Sequence, residues 1–370
     1  MRQSFTRRAF LRRAGVGAAG VALVAACSKK SVAPLREVRV VNEPLAIDDY
    51  TPDLFEKASG IFLRYHEYSE PGGFVSGAAA RLRTHRDIGA DVVVIADDQA
   101  ARMIEAGWVQ PLPASAADRA RILPAFANPR FDPGRRFSLP WTSTMVGLAY
   151  DGSVLREPIR SAGALFDPTF AGKVVLSADA AATLGMVALA SGRHPASVTE
   201  SQLAAGVARV RAAVGEGQVR SFATTEYADD LAAGRAMLAI ARADEIRSAR
   251  QMTPSLTFVV PTEGGLLEST NMVVPVGARN VDEARVFIDY MFQPDPISRL
   301  SSFAGRVMPI VGGIDSLRNI DAIAAADQLV EPDPAVWSRL SIWGGDSKSA
   351  AVADFRALVA SVGHVDAAGP

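Results

Sequence analysis

The sequence predicts an α/β protein of two lobes, on three observations. Strand-like and helix-like segments alternate along most of its 370 residues, as they do when helices cover a sheet. Asp91-Val92-Val93-Val94-Ile95 is a nearly continuous apolar run, the mark of a strand buried on both faces. About 344 residues remain once an N-terminal targeting segment is set aside from the 370, enough for two ordinary domains.

Each element has its own signal. Val38 to Val41 is a short β-branched run that stops at Asn42. Thr51 to Ser59 has helical composition, with Gly60 just past its end as a stop. Ile61 to Tyr65 reads as a strand, as does Asp91 to Ile95, and Gln99 to Ala106 as a helix that ends at Gly107. Met145–Tyr150, Val174–Ser177, Met237–Ala241, Thr257–Val260 and Met272–Pro275 supply further strands, with helices over Ala180–Ser191, Gln202–Val214 and Val281–Phe292. Such alternation implies largely parallel sheets. Pro140 to Thr144 and Glu268 to Asn271 are read as crossings between lobes, with a ligand held where the lobes meet.

The N-terminus carries an export signal. Thr6-Arg7-Arg8-Ala9-Phe10-Leu11 has the paired arginines and apolar pair of a twin-arginine (Tat) leader. The apolar run from Ala14 to Ala26 is shorter than the roughly 20 residues a membrane span needs, so it reads as the core of a signal peptide. It ends in Val24-Ala25-Ala26-Cys27, which resembles a lipobox whose cysteine is lipidated. The expected organisation is therefore a signal peptide over 1–26 and a tether over 27–35. The first lobe takes 36–139 plus about 272–305, and the second takes 140–271 plus about 306–365. Localisation follows as periplasm or cell surface, lipid-anchored at Cys27.

Composition excludes several functions. Cys27 is the one cysteine, so the mature chain has neither a disulfide nor a thiolate metal site. The formal net charge is −1, and five arginines precede Cys27 without an acid, which leaves the rest acidic by about six charges. Nucleic acid, whose phosphates call for a basic face, is not an expected partner. Gly15-Val16-Gly17-Ala18-Ala19-Gly20 matches a dinucleotide-binding pattern but lies inside the signal peptide, with no βαβ unit around it. His66, His85, His194 and His364 have no metal-ligand spacing. The acid pairs Asp48-Asp49, Asp97-Asp98 and Asp229-Asp230 read as solvated faces. No cofactor, no metal and no catalytic residue is expected.

Several longer strings follow one another in order along the chain. Val260-Pro261-Thr262-Glu263-Gly264-Gly265 runs through Asn271-Met272-Val273-Val274-Pro275, and Phe287-Ile288-Asp289-Tyr290 and Phe303-Ala304-Gly305-Arg306-Val307-Met308-Pro309 follow. Earlier come Asn42 with Pro44-Leu45 and Ile47-Asp48, Phe55 to Ile61, and Phe131-Asp132-Pro133. From about Val38 to Pro309 this ordered set resembles the spermidine/putrescine-binding family of ABC-transporter solute-binding proteins. The resemblance implies a two-lobe periplasmic-binding-protein fold (type II-like) with the ligand cleft between lobes. It implies a monomeric receptor that takes a small solute and passes it to an ABC permease in the membrane, without being an enzyme. A Tat-exported enzyme is the alternative from another class, disfavoured for want of a cofactor motif.

In that family an aromatic box and a few acids hold the amine, and this chain departs from the pattern. Aligned without gaps, Glu43, Arg242 and Glu268 stand where tryptophans are expected, and Ala46 stands for a tyrosine. Thr270 replaces the main amine-binding aspartate, Asp98 a tyrosine, Asp179 keeps an acid, and Ala182 loses its glutamate. The implied ligand-binding set is Glu43, Asp98, Asp179, Arg242, Glu268 and Thr270. Either the acids still take a polyamine or another small cation, or Arg242 turns the site toward a zwitterionic or anionic solute.

Overall fold

The computed structural model describes residues 35–68, 71–113, 118–346 and 348–362, so the twin-arginine segment, Cys27 and His364 lie outside the described residues. Ten strands are named here in chain order: β1 (Glu37–Asn42), β2 (Phe62–Glu67), β3 (Val92–Ala96), β4 (Ser138–Asp151), β5 (Val174–Ser177), β6 (Val219–Ala223), β7 (Leu238–Arg242), β8 (Leu256–Val259), β9 (Gly265–Val273) and β10 (Leu340–Ile342). Hydrogen bonding runs through them in the order β2-β1-β3-β9-β4-β7-β5-β6, with β10 beside β9 and β8 beside β4. Helices fill most connections, so the α/β class stands. No helix among the described residues is long and apolar enough to cross a membrane.

Local signals placed several elements to the residue. The helix Thr51–Ser59 has Pro52 in its first turn and ends on Gly60 at φ 67, a left-handed position that glycine adopts without a Cβ penalty. β5 also occupies the predicted residues. Other elements had weaker signals. β6 carries Arg220, sits at the end of the sheet path and is only partly buried, so it lacked a strong strand pattern. The helices Pro71–Leu82, Pro294–Ala304 and Ala350–Val362 were likewise not predicted.

One correction concerns the middle of the sheet. It is mixed rather than largely parallel: five strand pairings are parallel and four antiparallel, and every antiparallel one involves β4 or β9. The two segments read as crossings between lobes are paired strand, and they pair with each other. Pro140 faces Asn271, Thr142 faces Thr270, Ser143 faces Ser269 and Thr144 faces Glu268. Their sequence is polar, yet Thr142, Ser143, Thr144, Ser269 and Thr270 are all buried. The register shifts between Pro140 and Thr142, a bulge at Trp141 that accommodates a proline with no N–H to give. Trp141 is fully buried, stacks on Phe287 and donates its indole N–H to the Ala46 carbonyl at 3.2 Å.

Two of the apolar clusters include residues of this β4–β9 ribbon. Val38, Val40, Phe55, Leu63, Val92, Leu139, Trp141 and Met272 belong to one cluster, with Phe287, Ile297 and Leu300 from the helices after β9. Val146, Leu148, Val174, Leu184, Val207, Ile240 and Leu266 form another, closed by Val352, Phe355 and Leu358 of the last helix. Val307, Met308, Ile310, Leu317 and Val330 join the cluster that contains Val38 and Val40 of β1.

Candidate solute-binding site

Four strands of the sheet deliver charge at their C-terminal ends. Glu43 follows β1, and Asp97 and Asp98 open the helix that follows β3. Asp179 caps the helix after β5, its Oδ1 accepting the Ala182 N–H at 2.8 Å. Arg242 ends β7 and begins the next helix. Carboxyl ends of strands leading into helices are where open α/β sheets bind ligands. From the ribbon, β4 adds Thr142, Ser143 and Thr144, and β9 adds Glu268, Ser269 and Thr270.

These side chains line one cavity of about 570 Å³. All six residues expected to bind solute, Glu43, Asp98, Asp179, Arg242, Glu268 and Thr270, are on its wall. The family positions Ala46 and Ala182 are buried and are not part of that wall. The wall also includes Asp97, Arg130, Phe131, Arg306 and Trp343, which the sequence did not mark as binding residues.

Asp97 is a correction to the solvated-face reading of its pair. Its carboxylate accepts the Ser269 N–H at 2.9 Å and the Asn271 side-chain amide at 2.8 Å, which ties the start of the helix after β3 to β9. Burial raises its pKa, opposed by the nearby Arg135 guanidinium. Arg135 is itself fully buried, donating to the Phe126 carbonyl and to Asn271 Oδ1 at 2.7 Å each. Burial pulls that guanidinium down to about 10. Asp98, by contrast, has 42% of its side chain exposed and pairs with Arg102 one turn along at 2.8 Å.

Both cavity arginines nearest the ribbon are already paired. Arg306 follows the left-handed cap at Gly305, and the adjacent Val307 exchanges backbone hydrogen bonds with Ser143. That seats the guanidinium between Glu43, at 2.5 Å from Nη1, and Asp244, at 2.9 Å from Nε. Thr144 donates its hydroxyl to the same Asp244 at 2.7 Å. Arg242 donates from Nε to Glu268 Oε2 at 2.7 Å and lies 3.7 Å from Glu245. The Glu268 pair holds the Arg242 pKa above its ordinary value.

Glu268 differs from the other acids. Its second oxygen, Oε1, is buried and has no hydrogen-bond partner. Burial pushes the carboxyl up to about 7, against the pull of Arg242 and with the added repulsion of Asp179 and Asp97. A buried carboxylate oxygen without a donor is costly, so a cation or hydrogen-bond donor placed in the cavity would stabilise it. Among the described residues no group of three His, Cys, Asp or Glu side chains could hold a metal ion.

Comparison with known proteins bears on the family and the fold. The family model described as bacterial extracellular solute-binding protein matches residues 53–327. The spermidine/putrescine-binding periplasmic protein of Escherichia coli (strain K12) is 23% identical over 292 residues, covering 77% of this chain and 81% of that protein. A putrescine-binding periplasmic protein of the same organism is 26% identical over 277 residues, covering 67% and 70%. The crystal structure of a spermidine/putrescine ABC-transporter substrate-binding protein from Streptococcus pneumoniae superposes with a TM-score of 0.75 at 19% identity, covering 88% of this chain and 99% of that one. These likenesses establish the fold as the two-lobe periplasmic-binding type with its cleft between the lobes.

Proposed function

The chain belongs to the bacterial extracellular solute-binding protein family, and from that membership we propose that it is the extracytoplasmic receptor of an ABC importer for a polyamine such as putrescine or spermidine, or a related small cation. The observation that carries this reading is the unpartnered, buried Oε1 of Glu268 on the cavity wall, with Asp179 and Asp97 close enough to raise its pKa. A primary ammonium would give that oxygen its missing donor and neutralise the acid cluster. An anion would need a guanidinium without an acid beside it; Arg242 and Arg306 are already engaged with acids, and Arg130 on the same wall gives its Nη1 to the Gly344 carbonyl. The named ligands of the relatives point the same way.

The proposed cycle is capture without covalent chemistry. The open cleft takes the solute, the lobes close about the ribbon, and the closed form meets a membrane permease. Closure is favoured only by as much as the solute prefers the closed state. The proposed lobes are those expected from sequence, with 307–330 moved to the first lobe on the strength of its packing with β1. Export through a twin-arginine leader and anchoring by lipid at Cys27 belong to the same proposal.

Titration calorimetry with putrescine, spermidine, γ-aminobutyrate and a dicarboxylate tests the ligand class. Tight binding of an amine with weak or absent binding of the other two supports it. Preference for the zwitterion or the dicarboxylate would overturn it.

A further inference from the structure

Trp343 and Phe131 are the aromatic side chains among the described residues that line the cavity. Trp343 comes from a part of the chain to which the resemblance assigned no role. It directly follows β10, where the chain continues through Gly344, Gly345 and Asp346 along the cavity wall.

Two close approaches hold this segment. Gly344 donates its N–H to the Pro195 carbonyl at 3.2 Å, and its own carbonyl accepts from Arg130 Nη1 at 2.9 Å. A Cβ on Gly344 would fall 2.0 Å from the Ala196 carbonyl oxygen, so backbone lies directly on backbone and only glycine fits. A Cβ on Gly345 would fall 2.1 Å from the indole of Trp343, so the ring lies across that α-carbon. The indole also packs against the apolar cluster that contains Leu184 and Val352. It is thus an aromatic surface held in place by its packing, with the cavity in front of it.

We infer that Trp343 is a solute-contacting residue, whose indole covers the methylene chain or an ammonium of an aliphatic polyamine that reaches Glu268, and that Gly345 is the positioning residue that keeps the ring there. The inference rests on the cation-receptor reading above. Glu43, Arg242 and Glu268 occupy positions where tryptophans were expected, so the chain lacks ring faces there. Trp343 returns one from the other end of the sequence. An indole face attracts an ammonium through its quadrupole and shields methylenes from water, two contacts that a carboxylate does not supply.

The test uses the full chain with putrescine and spermidine, read by calorimetry and by tryptophan fluorescence. Trp343→Ala should weaken binding by about tenfold, and Trp343→Phe by no more than about threefold. Gly345→Ala keeps the indole but has no room for it where it now lies, and should weaken binding as Trp343→Ala does. Trp108, Trp141 and Trp337 are not on the cavity wall, so the ligand-induced fluorescence change should vanish in Trp343→Phe while affinity survives. Thermal melts confirm that each variant is folded. Wild-type affinity in both alanine variants, or a fluorescence change that persists in Trp343→Phe, would overturn the inference. If Glu268→Gln loses affinity in that same experiment, the receptor reading stands without it. If the wild type binds neither amine, both fall together.

Discussion

Arg242 donates to one oxygen of Glu268 at 2.7 Å, while the other oxygen of that carboxylate is buried without a partner. The guanidinium therefore orients the acid but satisfies half of it. Such an arrangement leaves one buried acceptor without a donor, and burial outweighs the directly bonded arginine in the titration of Glu268.

Glu268→Gln should weaken putrescine or spermidine by about tenfold or more at pH 8, since a charge-assisted bond contributes roughly 1.5–3 kcal/mol and ~1.4 kcal/mol is one decade. Calorimetry of the variant beside the wild type reads this directly. Arg242→Gln should act less on affinity and more on stability, because it removes the partner of a buried acid. Equal affinity in all three proteins would count against Glu268 as a ligand contact.

The same group should make solute capture pH-dependent. Glu268 titrates at about 7 in the fold against 4.5 in the unfolded chain, so the folded state holds the extra proton between those values. Stability of the ligand-free protein should then fall as pH rises through that window, by roughly 3 kcal/mol at most, and Glu268→Gln should remove the fall. Affinity for a cation runs the other way, strengthening as pH rises through about 7. Melting curves and titrations from pH 5 to 8 check both signs, and a flat affinity profile would argue against the assignment.

Asp91 offers a prediction of the opposite sign. Its fully buried carboxylate pairs with Arg39 at 2.7 Å and accepts from the backbone N–H groups of Arg279 and Asn280. Although burial opposes it, these bonds bring the pKa down to about 2 from the ordinary 3.8. The resulting stability, about 2 kcal/mol, is present above pH 4 and lost as pH falls toward 2. Asp91→Asn should destabilise the protein at pH 7 in urea titrations, and the gap from wild type should narrow at pH 2–3.

How legible all this was in the sequence depends on where the signal lay. Thr51–Ser59 was readable because its glycine stop is a local cue, and β3 because an unbroken β-branched apolar run is what a strand covered on both faces requires. β4 and β9 were read too short because Thr142, Ser143, Thr144, Ser269 and Thr270 are buried polar residues, which carry no apolar strand pattern. They are polar because they face a cavity or each other, a tertiary fact with no periodic trace in one strand. The six site residues were reached through family motifs. Arg306 was missed as a cavity-lining residue because its place depends on the pairing of Val307 with Ser143, and Trp343 because it lies past the last motif.

Closure should be visible in solution. Small-angle scattering of the ligand-free protein and of the protein saturated with a bound amine should show a smaller radius of gyration for the complex. Superimposable curves would argue against lobe motion on binding.

Anchoring is tested by fractionation. Cys27→Ser should move the protein from the membrane fraction into a soluble extracytoplasmic pool without changing solute affinity, because Cys27 is not one of the six expected solute-binding residues. A wild-type protein recovered entirely soluble, with the residues before Cys27 still attached, would contradict lipidation.

The ribbon of β4 and β9 also bears on how the protein comes apart. Its register runs from Ser138 beside Val273 to Val146 beside Leu266, so the same ladder of hydrogen bonds touches the core around Trp141 and the core around Leu148. Neither core can melt while leaving the ladder whole, and breaking the ladder strips a buried wall from both. Two lobes joined by loose linkers would denature as two events. Lobes that share a strand pair should denature as one, with a calorimetric enthalpy equal to the van't Hoff value.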